Sequence, residues 1–426
     1  MRLPSLPGLR SRLLPGLRPL AFASALALSA CGGSGSDDGH TADRIDSAGL
    51  LVLSETGSPS LRVLDLDTST IAQTLTLAAA PSALATSPGG RYALAMQRAQ
   101  DQVQVIDGGL WQEDHGDHLH DYRAAPQLLA ARIAGPRPTH YEIGGAHGAI
   151  FMDGEAATQR PASVTRITDA SLARTGGESQ FDVGPAVHGT AEPRGDHMLV
   201  SARSADAPGT LPDVIDLYHK GAQGWQLVSR LDGQCPHMHG SYSSGAYSVF
   251  GCADGVLVVS QSGTTFSTRK IANPPDMPEG RRIGTLIGHA KLTRFVGLAS
   301  PGHVFDIDPA NATITSIAWA EGRTRRAHAF DRTGRYFVLL DDTGTTHWLD
   351  ASAQWRVARQ LPVLAQMPTS APFPQLVASR SRNEMFLTDA SAREVAVLDS
   401  DAQAVKRRIR LDFAPAALAW TGIAAP

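Results

Sequence analysis

The chain has 426 residues, with 38 Lys+Arg against 41 Asp+Glu. That balance excludes the basic footprint of a nucleic-acid binder, while 41 glycines and 27 prolines beside only 6% aromatics point to many turns rather than long helices. The length allows two or three domains, but all-β architectures run this long as one unit.

Arg2, Arg10, Arg12 and Arg18 precede an apolar run, Leu20 to Ala30, that ends at Cys31. The run is shorter than the roughly 20 residues that span a bilayer. With its basic flank it reads as an export signal over residues 1–30. Leu28-Ser29-Ala30-Cys31 resembles the bacterial lipobox, which implies lipidation of Cys31 and a mature chain beginning there. An ordinary cleaved signal is the alternative. Residues 31–49 are polar and rich in Gly, Ser and Asp. Such composition buries no core and reads as a flexible tether, with His40 a solvated residue. The expectation is an exported protein, lipid-anchored in the periplasm or at the cell surface.

Residues 50–426 show no long amphipathic helix. Short apolar runs alternate with Gly, Pro, Asp and Asn, the pattern of an all-β chain. The runs repeat in fours. PSALATSPGGRYALAMQRAQDQVQVID (residues 81–107) and AHAFDRTGRYFVLLDDTGTTHWLD (residues 327–350) share one order: strand, Gly turn, strand, turn, strand. A four-strand repeat of about 40–50 residues marks a β-propeller blade, whose apolar faces are buried only against neighbouring blades. First strands fall near residues 82, 138, 187, 238, 287, 326 and 374. The segment from Leu50 supplies three more strands, LLVLSET, LRVLDLD and IAQTLTL, and Ala416 to Gly422 supplies the fourth. Strands from both chain ends thus close the ring and remove its open edge. The count is eight four-stranded antiparallel blades, with seven as the alternative because residues 108–185 are irregular.

Cys235 and Cys252 flank one predicted hairpin. Neighbouring strands can bring two Cβ atoms within bridging distance, and an oxidising compartment favours a disulfide. A pair of zinc thiolates is the alternative.

Fifteen histidines stand out. His115, His118 and His120 lie among Glu113, Asp114, Asp117 and Asp121, between the third and fourth strands of the second blade. Imidazole nitrogen and carboxylate oxygen are zinc donors, and carboxylates can also orient metal-bound imidazoles, so Asp114 and Asp117 are candidates for either role. The segment is expected to be a loop; a solvated acidic loop is the plainer reading. A second set recurs with the blades: His140, His188, His239, His289 and His328 each fall at a first strand. First strands line the channel of a propeller. Five imidazoles are therefore expected around one axis, three or four of them sufficing for tetrahedral zinc. Taken singly, each could equally be a water-bonded channel histidine. Adjacent blades must supply the ligands, with the His115–His120 loop folding over the opening. His237, two residues from His239, and His147, in GGAHGAIFMDG, are possible extra ligands. His197, His219, His303 and His347 fall on middle or outer strands and read as structural.

The stretches EDHGDHLHDY, PTHYEIGGAHGAIFMDG, CPHMHG and GHAKLTRFVG resemble those of the AztD-type periplasmic zinc metallochaperones, with the acidic histidine segment the most specific part. The similarity runs along most of the mature chain. It implies a propeller that binds Zn²⁺ and passes it to the solute-binding protein of a zinc ABC importer. Such proteins are often soluble, and Cys31 departs from that.

Binding rather than catalysis is therefore expected, with affinity falling below about pH 6.5 as imidazoles take protons. A hydrolase or lactonase with a channel metal is one rival. Neither a GxSxG nor an HExxH motif is present, and Asp153, Glu192 and Asp331 are carboxylates that nothing singles out. A metal-free interaction scaffold is the other rival, since one fold hosts many functions.

Overall fold

A computed structural model describes residues 44–116, 118–205 and 209–425. The export signal, Cys31, His40 and Asp117 lie outside the described residues. Eight four-stranded antiparallel sheets form the ring of a β-propeller, and one further two-stranded sheet interrupts the second blade. Among the described residues no helix is long and apolar enough to cross a membrane.

The inner strands of blades 2 to 8 are Ala83–Thr86, Pro138–Gly144, Ala191–Arg194, Ser241–Ser244, Thr285–Ile287, Arg325–Phe330 and Leu376–Ala378. Each blade's middle strands are almost wholly buried, as in Tyr92–Gln97 and Tyr336–Asp341, while outer strands such as Thr70–Thr76 are exposed. Apolar clusters lie mostly between blades. Leu340 and Trp348 of blade 7, for instance, pack with Met385 and Leu398 of blade 8. A single blade could not bury these faces, so blade stacking supplies the core.

Closure joins the chain ends. The inner strand of blade 1 is Pro415–Thr421, paired antiparallel with Leu50–Glu55 (Leu51 opposite Trp420). Trp420 is fully buried among Leu51, Leu53, Phe386 and Leu418, and its Nε1 donates to the Ala48 carbonyl at 2.9 Å. Gly49 makes this approach possible. It has φ +86°, and a Cβ there would stand 2.6 Å from Trp420 Nε1. Residues 44–49, expected to end a flexible tether, lie against the ring: Ala48 is buried, and the Ile45 amide donates to Asp121 at 2.7 Å.

Cys235 and Cys252 form a disulfide; both are buried beside Phe250 and Leu257. The zinc-thiolate alternative is thereby overturned, because both sulfurs are spent on each other. The irregularity of residues 108–185 has a local cause as well. Leu110–Asp114 and Leu119–Arg123 form an inserted hairpin between the third and outer strands of blade 2, so the count is eight blades rather than seven.

Trp420→Ala is expected to lower unfolding stability by about 3–5 kcal/mol, the cost of emptying a buried aromatic site. Chemical denaturation checks this, and an unchanged midpoint would mean that closure is not held by this contact.

Candidate metal centre

Three of the five recurring histidines meet. His140 lies in the inner strand of blade 3, His188 three residues before that of blade 4, and His239 two before that of blade 5. His140 Nε2 lies 3.3 Å from His188 Nε2, and His188 Nε2 lies 3.4 Å from His239 Nε2. One nitrogen from each ring falls within 4.8 Å of the other two. A tetrahedral ion with zinc–nitrogen bonds of 2.0–2.1 Å separates its donors by about 3.3–3.4 Å. Two of the three spacings match that geometry, and drawing His140 and His239 together around the ion completes it.

The other ring nitrogens explain why Nε2 points inward. His188 Nδ1 meets Asp153 Oδ2 at 2.9 Å, and His239 Nδ1 donates to the Gly284 carbonyl at 2.8 Å. An imidazole that gives its Nδ1 proton away presents a lone pair at Nε2, and such outer bonds fix both tautomer and ring orientation. Asp153 follows the second strand of blade 3 and also receives Arg98 Nη2 at 2.8 Å. Burial pushes its carboxyl up, but the bonds and charges of His188, Arg98 and Thr139 outweigh this and hold it below the usual carboxylate range. Burial, then the neighbouring charges of His188 and His239, drive His140 down to about 4. Burial also lowers His239, against the opposing pull of the Gly284 bond. His140 and His239 thus stay neutral, ready to ligate, at pH values where an ordinary histidine is protonated.

The expectation of five converging imidazoles is corrected by register. In blade 3 a bulge follows Pro138, so Pro138 opposes Met152 and His140 opposes Phe151. Blade 7 repeats the bulge, with Arg325 opposite Asp341 and Ala327 opposite Leu340. Ala327 therefore occupies the place of His140, and His328 that of Tyr141. A slip of one residue turns a side chain to the other face of the strand. His328 instead accepts from Arg325 Nη1 at 2.9 Å and packs 6.0 Å from the Phe337 ring. Burial, then Arg325, pushes it down to about 3. His289 comes two residues after its inner strand ends, at the opposite end of the strand from His239. Its ring lies 5.7 Å from Phe330, and its Nδ1 accepts from the Lys291 amide at 3.2 Å.

Two further candidates are placed elsewhere. His237 has φ +51°, which breaks strand alternation, and its ring is exposed. His147 opens a second strand and accepts from Arg166 Nη2 at 2.7 Å.

His115, His118 and His120 form their own cluster at the tip of the inserted hairpin. His118 Nε2 and His120 Nε2 are 2.7 Å apart, and the His115 ring lies 4.8 Å from that of His120. The segment is not the loop expected, because Glu113 pairs with His120 and Asp114 with Leu119 in a strand ladder. Its base is anchored: Arg91 stacks on Trp111 at 3.9 Å, Trp111 on Tyr122 at 5.3 Å, and Asp121 takes both the Ile45 amide and Gln112 Nε2. Nor does it fold over the triad. His188 and His239 precede inner strands and Asp153 follows a second strand, so the triad sits at the face where inner strands begin. The hairpin follows a third strand, Gln102–Asp107, which ends at the opposite face. The Gly108 amide accordingly bonds Arg91, in the turn after the inner strand of blade 2.

Asp153 and Gly284 were not foreseen as partners of the ligands. No spacing pattern marks them, since each is chosen by where a neighbouring blade's backbone passes.

The zinc chaperone AztD of Citrobacter koseri is 29% identical over 253 residues, 58% of this chain and 56% of that protein. The structure of apo AztD from Citrobacter koseri superposes with a TM-score of 0.74 at 21% identity, covering 88% of this chain and 98% of that one. The chain resembles AztD in sequence and in fold. The sequence match to AztD spans a little over half of the curated relative's length. A fold likeness at TM-score 0.54 and 14% identity, covering 89% of this chain and 76% of the other, extends to the dihydro-heme d1 dehydrogenase NirN in complex with DHE. The architecture alone therefore does not choose a function. No family model matches the chain.

The depressed histidines give the metal-free protein an acid-labile fold. Each is neutral when folded, yet takes a proton near pH 6.5 once unfolded. The unfolded state therefore binds more protons between about pH 6.5 and the folded values of about 4 for His140 and about 3 for His328. Stability is present above this window and falls as pH drops through it. Thermal unfolding of metal-free protein at pH 7 and pH 4.5 is expected to show the loss, and His328→Gln, which keeps an acceptor for Arg325, to reduce it. An equal drop in both proteins would contradict the assignment.

Proposed function

We propose that this chain is a zinc chaperone of the cell envelope, which takes up Zn²⁺ on His140, His188 and His239 and yields it to the solute-binding protein of a zinc ABC importer. The observation that carries this reading is the Nε2 spacing of 3.3 and 3.4 Å between neighbouring blades. The name of the similar protein, zinc chaperone AztD, supports the same cargo.

Three imidazoles leave one position of a tetrahedral ion open. A ligand from the recipient enters there, and the chain's histidines then leave one at a time. His140 and His239, already neutral, release no proton when zinc binds, which favours capture in mildly acidic surroundings. Asp153 keeps the His188 ring aimed while the ion exchanges. The hairpin histidines at the other face offer a second, more accessible set of donors for first capture, with carboxylates that draw in cations.

Cys31 lipidation and an export signal over residues 1–30 complete the reading, and the buried disulfide suits an oxidising compartment. The metal-hydrolase alternative draws on the same open position, since a three-histidine ion can activate water. The carboxylate closest to hand, Asp153, spends Oδ2 on His188 and Arg98, while its Oδ1 is buried without a partner.

Equilibrium dialysis at neutral pH tests the reading. The full chain should retain zinc against a competing chelator. His188→Ala should lose the tight site, and Asp153→Ala should weaken it by about 10–100-fold. Loaded protein mixed with a purified zinc solute-binding protein should pass its ion on in the presence of chelator. A chain that stays metal-free would end the proposal, and hydrolysis of an ester or lactone by the loaded protein would favour the enzyme.

A further inference from the structure

Two histidines stand apart from both the triad and the hairpin. His197 opens the second strand of blade 4, His197–Ala202, and His219 lies near the end of the third, Val214–Gly221. The two residues are directly opposite in the antiparallel ladder. Such a pair projects from one face of the sheet, with Cβ atoms about 4.5–5.5 Å apart. The two rings lie 4.8 Å apart at an angle of 50°. The triad rings, which converge on one place, are 4.9, 5.3 and 5.6 Å apart. Second strands begin and third strands end at the face opposite the triad, so this pair is a separate place on the molecule.

The surroundings hold the pair without engaging its nitrogens. Phe266, from the outer strand of blade 5, packs 5.1 Å from the His197 ring and backs it. Among the described residues neither imidazole makes a hydrogen bond, so the ring nitrogens are left to solvent or to an ion. His219 is exposed and His197 half-buried, which keeps the pair within reach of solvent. Burial, then the charge of His219, pushes His197 below its ordinary range, against the pull of Asp196. Lys220, next in the strand, turns to the other face and pairs with Glu178 of blade 3. The Asp196 carboxylate, 75% exposed in the turn just before His197, brings negative charge to the place.

We propose that His197 and His219 chelate a divalent transition-metal ion on blade 4, at the face opposite the triad. Imidazole donors suit Cu²⁺, Ni²⁺ and Zn²⁺, with Cu²⁺ the tightest of the three. Ca²⁺ and Mg²⁺ take oxygen ligands and have no claim on the site. Two protein donors leave the ion's other positions to water, so it is held more weakly than on three imidazoles and exchanges faster. The ladder supplies the preorganisation. Backbone bonds fix both Cα atoms and Phe266 backs one ring, so the ion orders little beyond the His219 side chain.

This proposal does not depend on the zinc-chaperone reading, because neither residue belongs to the triad. Cu²⁺ is the probe, and the full chain is the protein. Diethyl pyrocarbonate modifies free imidazole, and peptide mass spectrometry reads each histidine separately. Cu²⁺ is expected to slow the modification of His219 several-fold and that of His197 with it, while Ca²⁺ at the same concentration leaves both rates unchanged. The protection of His219 is expected to survive His188→Ala and to be lost in His197→Gln. Equal rates with and without Cu²⁺ in the unaltered chain would overturn the proposal, whether or not either variant folds. So would protection of His219 that disappears in a folded His188→Ala chain or persists undiminished in a folded His197→Gln chain.

Discussion

Strand register decides which side chains reach the axis. An inner strand alternates its side chains between two faces, and neighbouring ladders fix that alternation by backbone hydrogen bonds. The bulge after Pro138 places His140 toward His188, while the same bulge after Arg325 leaves His328 one position out of phase. The candidate centre exists because blades 3, 4 and 5 each deliver an imidazole at one level. Blades 6 and 7 carry theirs at another level or on another face.

The centre is also defined by what surrounds it. Asp153 and the Gly284 carbonyl each take an Nδ1, so two of the three rings arrive with orientation and tautomer set. Burial keeps His140 and His239 neutral, which favours a cation over a proton. The rigid frame behind these contacts is the closed ring, with Trp420 and Gly49 locking the last strand to the first. A binding site preorganised in this way spends little on ordering its ligands, yet three donors leave the ion open to attack.

Much of the architecture was legible in the sequence. Repeats such as RYALAMQ and RYFVLLD, with their Gly turns, mark buried second strands, and the unmatched strands at the two ends foretell closure. The candidate site was legible only in part. The blade period locates inner strands to within a few residues, whereas the difference between His140 and His328 is a single residue of position behind the same bulge, which the period does not resolve. Asp153 was invisible as a partner of His188 because the two meet only when adjacent blades stack. The hairpin was obscured for another reason. Its strands, WQED and LHDYR, are rich in His and Asp rather than in β-branched residues, and cross-strand pairing with Trp111–Tyr122 stacking overrides that poor propensity.

The central claim is that three imidazoles from adjacent blades hold one zinc ion. Anomalous diffraction at the zinc absorption edge, on crystals of the zinc-loaded chain, tests it most directly. The account predicts a peak about 2.0–2.1 Å from the Nε2 atoms of His140, His188 and His239. Density confined to the His115–His120 hairpin, or none at the triad under saturating zinc, would contradict it.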